Sequence, residues 1–259
     1  MTLRILVPLL AVAWLAAAEF GAAEVRRALA SHPARGNPQF VVTTKLPPGV
    51  TALKYTAPQS YALRHKGSTW YGIGSDAAGT MYAALDLAEL VRTGAIAAAK
   101  DSDYTPHIAS RGIKFNIPLD ARTPSYSDNS DAAQQNIPEM WSIDFWHEFI
   151  DDMARHRYNV LSLWNLHPFP SMVKVPEYPE VALSDAMRTT HPLDGSYSHM
   201  GHDMVRPEIL AYLQPVKRIG IDDKIRFWRQ VMQYARDRGR AAETARFDRK
   251  TKGAPDRHT

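Results

Sequence analysis

The sequence predicts a mixed α/β protein in two parts. A small α/β domain of the α+β sandwich-like kind comes first, and βα units on a parallel sheet follow. Three stretches carry this reading. "SYALRHKGSTWYGIGSDAAGTMYAALDLAELVRTG" reads as a hairpin followed by a helix. "RGIKFNIPLDAR" alternates apolar and polar residues, as a strand with two unlike faces does. "NVLSLW" is short and almost wholly apolar, which suits a strand buried on both faces.

From the start of the chain, "MTLRILVPLLAVAWLAAAEFGAAE" has Arg4, an apolar run from Ile5 to Ala18, and Ala16-Ala17-Ala18 in an A-x-A pattern. That is the layout of a secretory signal peptide over residues 1–23, and it predicts a secreted or periplasmic protein. The run is shorter than the roughly 20 apolar residues of a spanning helix, so no stable membrane insertion is expected. "AAEVRRALASH" then reads as a helix and "QFVVTT" as a strand. In the hairpin, Tyr61 and Leu63 alternate with polar neighbours, Lys66-Gly67 marks the turn, and Trp70 to Ile73 is extended again. Ser75 is placed to cap the next helix, whose Ala77, Met81, Leu85, Ala88 and Val91 recur at helical spacing before Gly94. These elements define a small domain over residues 24–105, with "AIAAAKDSDYTPHIAS" as the linker.

Beyond the linker, Ile113, Phe115, Ile117 and Leu119 share one parity of a strand, and Lys114, Asn116 and Asp120 the other. Ser142 is placed to cap a helix whose stripe is Trp146, Phe149, Ile150 and Met153. After "NVLSLW" comes a connection from Pro168 to Gly220, long enough to read as a lid or binding loop. A helix then carries Ile225, Trp228, Met232 and Ala235 on one side and stops at Gly239. Strand, helix, strand, helix over residues 106–239 implies a parallel sheet. Residues 240–259 hold six Lys/Arg and three Asp/Glu but no Val, Ile or Leu, and so are expected to be a disordered charged tail. The abrupt change at Arg240 suggests a shortened or frame-shifted gene product.

Composition narrows the function. Of 259 residues, 45% are hydrophobic and 22% charged, which is ordinary for a globular chain. The absence of cysteine excludes a disulfide framework and a thiol nucleophile. Most of the net charge of +4 lies in the tail, and no basic stripe is interleaved with aromatics, so no nucleic-acid partner is expected. No cofactor is expected.

The segment Arg111 to Asn116 resembles the opening of the catalytic barrel in family-20 hexosaminidases. "YGIGSDAAGTMYAALDLAE" resembles the small α/β domain that precedes the barrel there and in α-glucuronidases. The run from "RGIKFNIPLDAR" to "NLHPFPSMVKVPEYP" looks most like exported α-glucuronidase-type hydrolases. The resemblance spans residues 40–239 and implies an incomplete (β/α)8 barrel of about two βα units, where a whole barrel takes roughly 250 residues. The family-20 Asp falls on Asn116 here and a family Arg on Leu119, whereas Arg111 matches a residue that contacts the sugar.

Active sites of such barrels lie at the C-terminal ends of the strands. Asn116, Asp120 and Arg122 fall there after the first strand, and Trp164, Asn165 and His167 after the second. With Arg111 they form the candidate substrate-binding set: an indole for the face of a pyranose, and amides, a carboxylate and an imidazole for its hydroxyls. Arg122 could pair bidentately with a uronate carboxylate. Trp164 could equally be core, and Asn165 and Asp120 could be caps. Phe169, Tyr178, Tyr197 and Tyr212 on the long connection suit the wall of a sugar site. His199, His202 and Asp203 lack an established metal spacing, so no metal site is expected. Asp151 and Asp152 lie on a helix and read as solvated.

Glycoside hydrolysis needs two carboxyl groups, and Asp120 is the single acidic residue on a predicted strand end, so the catalytic residues stay unassigned. The expectation is the N-terminal portion of an exported glycoside hydrolase acting on uronic-acid-bearing polysaccharide, inactive in this form. The alternatives are a non-catalytic carbohydrate-binding or assembly module, and a β-N-acetylhexosaminidase-like enzyme. An unfinished barrel would also expose strand edges and aromatic stripes, inviting oligomerisation or aggregation.

Overall fold

The computed structural model describes residues 9–34, 36–123, 131–165, 169–193, 207–239 and 241–244. Its first helix, α1 (Leu9–Ser31), passes without a break through the point where the sequence suggested a leader would end. The chain forms two units. The first gathers Met1–Arg111, Ile150–Asn159 and Tyr234–Ala241, and the second holds Gly112–Phe149, Val160–Gln233 and Ala242–Thr259.

In the first unit, β1 (Gln39–Thr43), β2 (Tyr61–Lys66), β3 (Thr69–Gly74) and β4 (Ser102–Tyr104) form one sheet in the order β1-β3-β2-β4. β2 and β3 are the expected hairpin, with Tyr61 opposite Gly74 and Lys66 opposite Thr69. Gly67 turns it with φ 63°, a left-handed conformation that favours glycine. β1 runs parallel to β3. The expected linker is instead structured: a short 3-10 turn over Ala95–Ala98 leads into β4, which pairs with β2. Arg64 reinforces that edge, its buried guanidinium bonding both oxygens of Asp103 at 2.8 and 2.9 Å.

Helix α2 (Ala77–Arg92) starts one residue later than the sequence suggested. Its cap is Asp76 rather than Ser75, because the Asp76 carboxylate accepts from the Gly79 amide at 2.7 Å. Ser75 turns its hydroxyl to the carbonyl of Ala57. The apolar face of α2 (Ala83, Ala84, Leu87, Val91) packs with Leu63 and Trp70 of the sheet and with Val25 and Ala28 of α1. Gly21 permits the close approach of α1: a Cβ there would lie 2.8 Å from that of Ala84. Glu24, buried on α1, is held by Arg27, by Arg92 at 3.7 Å and by Arg155 at 3.2 Å. Asp151 is likewise engaged rather than solvated, accepting from Tyr234 at 3.0 Å and Arg238 at 2.7 Å.

The second unit begins with β5 (Gly112–Asn116), which pairs in parallel with β6 (Val160–Trp164). β5 stops short of Leu119 because Pro118 has no N–H for the ladder. Between the strands lie α3 (Asp131–Met140), which the sequence did not suggest, and α4 (Ile143–Arg155). Ser142 caps α4 as expected, its hydroxyl 3.4 Å from the Phe145 amide. The long connection contains more than loop. β7 (Asp185–Thr189) and β8 (Leu213–Arg218) form an antiparallel pair, with α5 (Pro207–Ala211) just before β8. Helix α6 (Ile221–Asp237) follows.

The charged tail is corrected over its first residues. Ala241–Thr244 form β9, the third strand of a sheet ordered β5-β6-β9. Backbone pairing supplies this strand without the apolar alternation that would have announced it. Residues 245–259 lie outside the described residues. The aromatic stripes are covered rather than bare: Trp141, Trp146, Phe227 and Trp228 are buried, with ring centroids 5.4–5.8 Å apart in tilted and edge-on pairs. Among the described residues, no helix is long and apolar enough to cross a membrane.

Candidate functional site

The two strand ends are built by register. Asn116 lies directly opposite Trp164, and Lys114 opposite Ser162. Alternation puts these four on one face, while Leu161 and Leu163 are buried on the other. On the face of Lys114 and Asn116, the Lys114 ammonium stands 5.0 Å from the centroid of the Trp164 ring, within cation–π range. Lys114 is exposed, so this pair presents a positive charge and an indole side by side.

The remaining residues expected at the site are mostly bonded to the protein itself. Asn165 is buried, and its amide donates to the carbonyl of Ile117 at 2.7 Å. The Ile117 amide in turn donates to the carbonyl of Trp164 at 2.9 Å. Asn165 thus acts as a clamp on the strand ends, the capping role that its residue type also allowed.

Asp120 is the acid the sequence singled out, and its side chain is 0% exposed. One oxygen accepts from the backbone N–H of Arg122 at 2.9 Å and its Nε at 2.7 Å. The other accepts from Nη2 of Arg122 at 2.7 Å and from the Met187 amide at 2.9 Å. A carboxylate has about four acceptor positions, and all are used. Arg122 therefore pairs bidentately as expected, but with Asp120 rather than with a uronate. Its Nη2 also reaches Asp185 at 2.6 Å. The Asp120 hydrogen bond is the main cause holding Arg122 above the ordinary guanidinium range.

Arg111 belongs to the other unit, where its guanidinium is committed to structure. Nε donates to the carbonyl of Arg157 at 2.9 Å, Nη1 to that of Ile108 at 2.6 Å, and Nη2 to Gln59 at 2.8 Å and Tyr82 at 3.2 Å. His167, His199, His202, Asp203 and Tyr197 lie outside the described residues. Phe169, Tyr178 and Tyr212 are exposed. Among the described residues, no cluster of His, Cys, Asp and Glu could hold a metal ion.

Three participants were missed in the sequence. Lys114 was read only as a member of the polar face of its strand. Asp185 and the buried Lys224 carry no local signal, because the elements that bring them to Arg122 and Asp120 lie within and beyond the long connection.

No family model matches the chain, and no curated protein does. Among solved structures, the chain is similar to a GH138 enzyme targeting pectin rhamnogalacturonan II. The identity is 17% and the TM-score 0.57, over 87% of this chain and 23% of that enzyme. A glycoside hydrolase family 20 β-N-acetylglucosaminidase is 16% identical, with a TM-score of 0.46 over 86% of this chain and 36% of its own. A GH115 4-O-methyl-α-glucuronidase with specificity for decorated arabinogalactans is 16% identical, with a TM-score of 0.36 over 57% of this chain and 23% of its own. The chain spans between 23% and 36% of the lengths of these proteins. The first likeness carries the fold: mixed α/β, of glycoside hydrolase-like form.

Proposed function

We propose that the chain is the N-terminal portion of an exported glycoside hydrolase acting on uronic-acid-bearing polysaccharide, α-glucuronidase-like in its preference for acidic sugars. By itself it holds saccharide and does not hydrolyse it. The observation that carries this reading is the face of β5 and β6 on which the exposed Lys114 stands beside the half-buried Asn116 and Trp164. An indole suits the C–H face of a pyranose, an amide its hydroxyls, and an ammonium the carboxylate of a uronate. Lys114 thereby takes the role that the sequence suggested for Arg122.

The absence of turnover is inferred from Asp120. Glycoside hydrolysis generally uses two carboxyl groups, one giving a proton to the leaving oxygen and one acting as nucleophile or base. Asp120, saturated by Arg122 and Met187, has no acceptor position left for a sugar. The fold likeness to a pectin-targeting enzyme supports the substrate class.

Calorimetric titration of the purified chain with a glucuronic-acid-bearing oligosaccharide and its neutral glucose analogue tests the reading. Binding of the acidic sugar, lost in Lys114→Ala and Trp164→Ala, is the expected result, alongside no release of aryl alcohol from an aryl glucuronide. No affinity for either sugar would overturn the binding role. Robust hydrolysis that disappears in Asp120→Ala would overturn the claim of inactivity.

A further inference from the structure

Lys224, near the start of α6, is 0% exposed. Its ammonium donates to the carbonyls of Asp185 at 2.7 Å and Leu183 at 3.1 Å, and stands 3.5 Å from the hydroxyl of the buried Ser171. It also lies 5.4 Å from the centroid of the Trp141 ring. Among the described residues, no carboxylate bonds it directly. The charged groups facing it are Asp120 and Arg122 on the turn after β5 and Asp185 on β7. A lysine is seldom so enclosed unless its charge is paired.

What it holds is the start of β7. From there Asp185 reaches Arg122 at 2.6 Å, the Met187 amide donates to Asp120 at 2.9 Å, and the Met187 carbonyl accepts from the Ala121 amide at 2.9 Å. We infer that Lys224 is a positioning residue: from α6 it sets β7 against the Asp120–Arg122 turn that follows the sugar-facing end of β5. The link to sugar rests on the function proposed above, whereas the link to β7 does not.

The geometry gives this hold a pH dependence of definite sign. Burial is the main cause lowering Lys224 from 10.5 to about 8, with Arg122 adding to it and the two carboxylates opposing. When β7 lifts and water reaches the amine, the ordinary value returns. The closed arrangement thus binds fewer protons than the open one between about pH 8 and 10.5, so closure strengthens as pH rises through that window. Below it both arrangements carry the proton, and closure is at its weakest.

Amide hydrogen exchange on the full chain, corrected for the intrinsic pH dependence of exchange, reads this directly. Protection of the Met187 and Ala121 amides should rise about twentyfold between pH 7.5 and 9.5, while the Ile117 amide in the β5–β6 ladder stays level. In Lys224→Met the rise should vanish. A flat wild-type profile, or a rise that survives in Lys224→Met, overturns the inference, and the wild-type profile decides alone if the variant does not fold. The titration with the glucuronic-acid-bearing oligosaccharide is then repeated at both pH values. Affinity that follows the exchange profile supports the link to sugar, and sugar binding indifferent to pH and to Lys224→Met removes it. A chain that binds no sugar yet shows the exchange profile defeats the functional proposal and leaves the hold on β7 standing.

Discussion

Asn165 and Ile117 close the ends of two neighbouring strands, the side-chain amide of one donating to the backbone carbonyl of the other at 2.7 Å. Both residues are buried, so water is a poor substitute for the lost donor. Replacing Asn165 with Ala should therefore destabilise the second unit by about 1–3 kcal/mol, the cost of stranding a buried acceptor. Urea denaturation followed by tryptophan fluorescence would measure it, and an unchanged midpoint would show that the clamp is dispensable.

The Asp120–Arg122 pair should be worth more. Asp120→Ala leaves Arg122 without its bidentate partner and removes the acceptor of the Met187 amide. Breaking a buried pair on one side costs about 3–5 kcal/mol. The partial exposure of Arg122 places the expected loss at the lower end of that range. Arg122→Lys should fall between wild type and Asp120→Ala, since an ammonium cannot reproduce the two parallel hydrogen bonds.

Gly21 offers a test of the packing of α1 in the first unit. A Cβ at this position would lie 2.8 Å from the Ala84 Cβ and 3.1 Å from the Met81 carbonyl oxygen. Gly21→Val should push the helices apart and lower stability by about 1–3 kcal/mol, the usual range for overpacking. Thermal melting by circular dichroism would report it. A variant as stable as wild type would mean that α1 does not need this close approach.

Alkaline pH should weaken the same unit through Tyr61. Burial first, and then the Asp86 carboxylate that its hydroxyl bonds, hold Tyr61 above the ordinary tyrosine value of 10.0. The unfolded chain loses this proton near pH 10 while the folded chain keeps it. Stability from this group is complete below pH 10 and declines as pH rises above it, by about 1.4 kcal/mol per pH unit. Tyr61→Phe should remove that part of the decline in denaturation midpoints measured between pH 9 and 11.

Local pattern made the hairpin, α2, α4, α6 and the β5–β6 pair legible in the sequence, because each shows its period within one short window. Asp76 was missed as a cap because Ser75 beside it is an equally good candidate, and only the bond to Gly79 decides between them. β4 and β9 were missed because each takes its order from a neighbouring strand rather than from an apolar face of its own. At the strand ends, Asn116 and Trp164 stand opposite each other as the period of the two strands implies, but Asp120, Arg122 and Arg111 bond to the protein itself. Arg122 and Asp120 are two positions apart and meet each other before any ligand could. Arg111 is taken up by Gln59, Tyr82 and Arg157, which are distant in sequence and carry no mark of the encounter.

The first unit draws on three separate stretches of chain, and this governs how it can be made. Glu24 leaves the ribosome long before Arg155, and Phe20 long before Arg238, whose guanidinium covers its ring at 4.6 Å. A nascent chain extruded only through β4 has its four-stranded sheet, and Arg27 and Arg92 beside Glu24, but lacks Arg155, the third cation on Glu24, and Arg238, which roofs Phe20. The newborn domain must wait, with Phe20 unroofed, until the end of α6 has been translated. Chaperone capture during synthesis should fall on α1 and be released when the end of α6 emerges.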